Sequence, residues 1–76
     1  MFAFCELHGL DLSKRNLSDA DFTGATLENC RLIGTRLDNA SFFGADMQGS
    51  DFSEASLRRA DLRGSCLRGA NLTGAG

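Results

Sequence analysis

Large apolar side chains recur along this chain at every fifth position without a slip: Phe2, Leu7, Leu12, Leu17, Phe22, Leu27, Leu32, Leu37, Phe42, Met47, Phe52, Leu57, Leu62, Leu67 and Leu72. Only five other large apolar residues occur, at Met1, Phe4, Leu10, Ile33 and Phe43. A second column lies two residues before each of these positions, running from Cys5 to Ala75. Thirteen of its fifteen members are Ala, Ser, Thr or Cys, the exceptions being Leu10 and Arg15. A third column, two residues after, holds eight of the nine glycines: Gly9, Gly24, Gly34, Gly44, Gly49, Gly64, Gly69 and Gly74.

A period of five suits neither regular element. On an α-helix, five steps of ~100° turn each Leu by ~140° from the last, so no apolar stripe forms. On a continuous strand, an odd spacing sends alternate Leu residues to opposite faces. The pattern is satisfied when the chain turns a corner once per pentad. The large residue and the small residue two before it then share the inward direction, and glycine serves the corner, where φ > 0 is often needed. Four corners close a square coil, and successive coils pair edge to edge.

The motif A-(D/N)-L-x-x appears as Ala20-Asp21-Phe22-Thr23-Gly24, Ala45-Asp46-Met47-Gln48-Gly49, Ala60-Asp61-Leu62-Arg63-Gly64 and Ala70-Asn71-Leu72-Thr73-Gly74. In this register the chain resembles the pentapeptide-repeat family over essentially its whole length. The resemblance implies an all-β fold, a right-handed quadrilateral β-helix (β-solenoid) of about four 20-residue coils, forming one domain over residues 1–76. At ~4.8 Å between coils the rod is expected to be ~18 Å long.

A 20-residue coil places Phe2, Phe22 and Phe42 ring on ring. It also aligns Asp11, Arg31 and Asp51 in a column of alternating sign and sets Asp38 under Arg58. Each exposed pair contributes less than ~1 kcal/mol. Burial of the fifteen large side chains, at ~1.5–3 kcal/mol each, is the main stabilising contribution, and it leaves a packed interior rather than a pore. The sequence places Leu10 and Arg15 in the first coil, where an open end tolerates them, and suggests Phe4 with Met1 as a cap there. The C-terminal Asn-Leu-Thr-Gly-Ala-Gly offers no cap, and solenoids normally need capped ends. This predicts association end to end, a partner, or membership of a longer solenoid.

Composition narrows the function. Ten acidic and eight basic residues give a net charge of −2, without strong attraction for nucleic acid. The N-terminus lacks the basic and apolar regions of a secretory signal, and no apolar run approaches the ~20 residues of a membrane span. Three cysteines with no metal-ligand spacing point away from a disulfide framework or zinc, toward a reducing, cytoplasmic setting. Cys5 and Cys30 belong to the inward small column and read as inert buried residues. Cys66 takes the Asp/Asn position, partly exposed, with no base to activate it. His8 lies outward with no convergent partners. Phe43 and Ile33 occupy outward positions, Phe43 in a column between Thr23 and Arg63 where a cation–π contact is possible. No catalytic residue, cofactor site or metal site is indicated, so the chain reads as a non-enzyme.

Charge is distributed unevenly. Residues 1–56 carry nine acidic and four basic side chains, net −5, whereas residues 57–76 carry Arg58, Arg59, Arg63 and Arg68 against Asp61, net +3. These four arginines are the interaction candidates, a basic rim for an acidic partner or the acidic end of another copy. The family resemblance also implies an alternative, since some members mimic duplex DNA, bind type II topoisomerases (gyrase) and protect them from quinolones. Duplex DNA ~18 Å long carries about eleven negative charges, against a net −2 here with a basic end, and the dimerisation helix of such members is missing. The leading expectation is a structural or protein–protein interaction module whose partner is another protein or itself, with neither nucleic acid nor membrane bound directly.

Overall fold

Every pentad ends in a tight turn, and the turns determine the architecture. In the computed structural model, which describes residues 2–76, each residue two after a large apolar one has positive φ, from Phe4 (59°) to Gly74 (71°). Only the second central residue of each turn has positive φ, the signature of a type II turn, in which glycine is favoured. The turn closes through an N–H to carbonyl bond three residues back, such as Ala25 to Phe22 at 2.9 Å and Ala45 to Phe42 at 2.9 Å. Thirteen of fifteen turns form this bond; the two that do not belong to Leu10 and Arg15, the two oversized members of the small column.

Between turns, one residue per pentad bridges to its counterpart 20 residues on, always in parallel, from Glu6–Thr26 to Asp51–Asn71. Two backbone bonds flank each bridge: Leu27 N–H donates to the Asp46 carbonyl at 2.6 Å, and Asp46 N–H donates to the Ala25 carbonyl at 2.9 Å. The chain is therefore a coil of four pentads per 20 residues. The flat strands suggested by stacked edges shrink to single-residue bridges, because a corner every five residues leaves no room for longer extended segments. The molecule measures 25 × 22 × 19 Å.

The interior is filled. Phe22, Leu27, Leu32, Leu37, Phe42, Met47 and Phe52 are fully buried, together with Ala25, Ala40, Ala45 and Ala55 from the small column. Phe2, Phe22 and Phe42 stack at centroid distances of 5.0 and 4.9 Å, nearly parallel, and Phe52 meets Phe42 edge-on at 6.0 Å. The ring separation matches the rise between coils, so the aromatic stack follows from the backbone pairing.

The ends differ from the expected uniform core. Phe2, Leu7, Leu12, Leu17, Leu57, Leu62 and Leu67 are only partly buried, and Leu72 is 41 % exposed. An inward residue in a terminal coil has a neighbouring coil on one side alone. Phe4 does not cap the end. It is 78 % exposed, and its ring lies sideways against Gly24, the glycine of the next coil in its corner column. Met1 lies outside the described residues.

The inward polar residues have specific partners. The Thr35 hydroxyl donates to the Leu12 carbonyl at 2.9 Å, and the Cys30 thiol donates to the Leu7 carbonyl. These are the two carbonyls that the missing turn bonds of Arg15 and Leu10 leave unpaired. The Ser50 hydroxyl donates to the Leu27 carbonyl and accepts from Cys30 N–H at 3.2 Å. Among the described residues no buried side-chain nitrogen or oxygen lacks a partner, as interiors of native proteins require.

Candidate interaction surface

The residue before each large apolar one begins an outward position, and Asp or Asn there has a local role. Asp11, Asn16, Asp21, Asp46, Asp51, Asp61 and Asn71 each accept, through a side-chain oxygen, the backbone N–H two residues on. This turn-bracing bond explains why short polar acceptors suit the position. Where the chain carries another residue, a coil below can substitute: Ser13 Oγ accepts from Ile33 N–H at 3.1 Å, and Asp38 Oδ1 accepts from Arg58 N–H at 3.2 Å. Cys66 provides no such acceptor.

These bonds displace the charge columns expected from the 20-residue spacing. Asp11 and Asp51 form no ion pair with Arg31 within 4 Å; each carboxylate is turned onto its own chain. The carboxyl of Asp11 is held below its ordinary value first by the Ser13 backbone N–H, with Arg31 and Arg15 contributing at longer range. Asp38 engages Arg58 through the backbone amide, accepts from the Ser56 hydroxyl, and lies 3.8 Å from Arg36. Its carboxyl is lowered chiefly by that hydroxyl. The outward His8 has a partner after all, the Glu28 carboxylate 3.3 Å away and one coil on.

The structure divides the four arginines singled out in the sequence. Arg63 is compensated: its Nε and Nη2 donate to the two oxygens of Asp61 at 2.9 and 2.8 Å, and its guanidinium sits 5.7 Å from the Phe43 ring centre. The paired side chain and backbone N–H of Arg63 bring the Asp61 carboxyl down to about 2. Phe43, 49 % exposed, is thereby covered on one side, while Ile33 in its outward position is only half-exposed. Arg68 is exposed, further around the coil. Arg58 and Arg59 come together in one open recess with Asp38 and Asn39. Among the described residues neither guanidinium has a carboxylate within 4 Å.

The corner that carries Arg59 differs from the others in its residues. Each of the other three corner columns sets glycines over side chains: Phe4 lies under Gly24, Asn29 under Gly49, and Lys14 under Gly34 with Glu54 under Gly74. The fourth column is Asp19, Asn39 and Arg59, with φ of 66°, 62° and 61° and no glycine. The signal was present as three gaps in the glycine column spaced by 20, visible once the coil length is applied.

Cys5, Cys30 and Cys66 are free thiols. Cys30 is buried as expected, and burial raises its thiol pKa. Cys5 is only half-buried because it belongs to the terminal coil, and Cys66 is half-exposed. Among the described residues no group of three or more His, Cys, Asp or Glu side chains could hold a metal ion, and no helix is long and apolar enough to cross a membrane.

A family model described as pentapeptide repeats matches eight copies over residues 5–42 and 35–74. Among solved structures, the chain is similar to a pentapeptide repeat protein from the Arabidopsis thaliana thylakoid lumen, at 38 % identity and a TM-score of 0.74, covering 97 % of this chain and 55 % of the other. A pentapeptide repeat protein from Nostoc Pcc 7120 matches at 34 % identity and a TM-score of 0.58, covering 93 % and 63 %. A third, from the cyanobacterium Cyanothece 51142, shares the fold at 20 % identity and a TM-score of 0.53 over 93 % of this chain and 86 % of that one. The chain thus spans less than two thirds of the first two relatives. No curated protein sequence matches it.

Proposed function

The chain belongs to the pentapeptide-repeat family, whose members form right-handed β-helices, and on that premise we propose that it is a non-enzymatic structural or protein-interaction module. The observation that carries this reading is the filled interior. With the large and small columns packed against each other, the body is a four-sided β-helix whose chemistry lies on shallow outer faces. Such faces suit contact with another protein better than enclosure of a small substrate. The partner is another protein or a second copy, met through an outer face or an end. The free thiols favour a reducing, cytoplasmic setting.

The charge pattern favours this reading over DNA mimicry. Among the described residues Arg58, Arg59 and Arg68 have no compensating carboxylate within 4 Å, whereas a mimic of duplex DNA needs a continuous acidic surface. A gyrase supercoiling assay at micromolar protein is expected to show no inhibition; inhibition would refute the preference. Self-association is tested by light scattering across a concentration series. A mass above the 8.1 kDa of one chain is expected to emerge as concentration rises, and a constant single-chain mass would leave a second protein as the partner.

A further inference from the structure

We propose that the recess formed by Asp38, Asn39, Arg58 and Arg59 receives a carboxylate from an acidic peptide segment of a partner protein. The inference rests on the interaction-module reading and names the chemistry of that partner. Its first support is conformational. Arg59 has φ of 61°, a left-handed conformation that disfavours a long side chain and suits glycine. Glycine fills eight of the fifteen equivalent corners. Asn39 and Asp19, beneath Arg59 in the same column, are the residue types that tolerate this conformation best after glycine. Phe4, Lys14 and Glu54 take the same conformation, so the strain sets the cost of keeping the Arg59 side chain at this corner, and its surroundings supply the use.

The second support is electrostatic. The Arg63 guanidinium is doubly paired with Asp61, but Arg58 and Arg59 are adjacent, exposed and without a carboxylate partner among the described residues. Both line one recess together with Asn39. A planar guanidinium presents a fork of N–H donors matched to the two oxygens of a carboxylate. Asp38 lines the same recess, yet its Oδ1 already accepts from both the Ser56 hydroxyl and the Arg58 backbone N–H, and its Oδ2 lies 3.8 Å from Arg36. It remains charged, so the recess sets two guanidinium charges against one carboxylate, a balance that one further carboxylate neutralises. This matches a single Asp or Glu side chain, whose planar carboxylate also fits the guanidinium fork.

The test uses isotope-labelled protein titrated with an acetylated hexaglutamate peptide, its hexaglutamine counterpart and inorganic phosphate, followed by NMR. The glutamate peptide should shift the Arg58, Arg59 and Asn39 side-chain signals, weaken as salt is added, and bind more tightly than either control. Arg59→Gly should bind roughly three- to fivefold more weakly, the scale of one exposed charge pair, while its Tm stays equal to or rises above that of the parent. Arg58→Gln should weaken binding without relieving backbone strain, and Arg63→Ala should leave binding unchanged. Undiminished binding by Arg59→Gly, or a lower Tm for it, overturns the proposal, as does equal binding of phosphate. Shifts confined to Lys14, Arg15 and Arg31 would overturn the recess while sparing the interaction-module reading.

Discussion

Two glycine substitutions separate the backbone requirement of the corners from the packing between coils. Gly44 and Gly49 have nearly the same φ, 67° and 69°, but different surroundings. A Cβ on Gly44 would meet nothing within 4 Å, whereas one on Gly49 would fall on Oδ1 of Asn29, the corner residue one coil below. Alanine in the left-handed region costs about 1–2 kcal/mol. Replacing glycine also restricts the unfolded chain, which offsets about 0.4–1 kcal/mol. Gly44→Ala is therefore expected to destabilise by about 1 kcal/mol, a Tm decrease of roughly 4–8 °C for a domain of this size. Gly49→Ala carries the same backbone strain and must in addition push Asn29 off its rotamer, worth a further ~0.5–1.5 kcal/mol. In the double variant Gly49→Ala with Asn29→Gly the clash disappears, and the residual loss should fall to the level of Gly44→Ala or below it. Thermal and urea unfolding followed by circular dichroism measure these differences. If Gly44→Ala costs nothing, the corner is not left-handed; if it costs more than Gly49→Ala, the corner residues do not stack at a 20-residue interval.

Three further substitutions probe the side-chain bonds. Thr35→Val removes the donor to the Leu12 carbonyl, which lacks its turn bond; unfolding free energy should fall by about 1–3 kcal/mol, and unchanged stability would contradict the assigned role. Cys66→Asp supplies the missing acceptor for the Arg68 N–H, and a gain of about 0.5–1.5 kcal/mol is expected, measured by urea titration; a loss would show that this position does not brace its turn. The carboxyls of Asp11, Asp21, Asp38, Asp51 and Asp61 are all lowered from 3.8, Asp61 to about 2. Groups depressed in the folded state contribute stability that is complete above their unfolded value and lost as pH falls through the folded one. The Tm should thus be level above pH ~5 and decline from about 4 toward 2; Asp61→Asn, which keeps an oxygen acceptor, should flatten part of that decline, and an unaltered acid profile would count against the assignment.

Much of this molecule was legible because its constraint is periodic. Fifteen large apolar residues at one interval admit only a chain that turns once per pentad, and the positive φ at all fifteen corners follows from that demand. The Phe2–Phe22–Phe42 stack was likewise readable, since inward side chains one coil apart have nowhere else to go. The charge pairs were not. An outward carboxylate chooses between an arginine one coil away and an amide two residues on, and the amide is fixed in place by the turn while the arginine must be ordered from solution. Asp11 and Asp51 accordingly bond to their own chain rather than to Arg31, and of the four rim arginines Arg63 is paired with Asp61 while, among the described residues, Arg58, Arg59 and Arg68 have no carboxylate within 4 Å.

The amino-acid order alone determined the repeat, the coil length, the inward residues and the places where glycine is wanted, because these depend on chain direction and side-chain size. Tertiary structure decided which coils are sealed, how the Leu7 and Leu12 carbonyls gain Cys30 and Thr35 as donors, and which arginines keep their charge available. Those outcomes depend on distances between groups in different coils, where angstrom differences select one hydrogen-bond partner over another. The recess at Arg58 and Arg59 belongs to this second kind. It exists because a corner without glycine is stacked beside a carboxylate whose Oδ1 is already engaged by its neighbours.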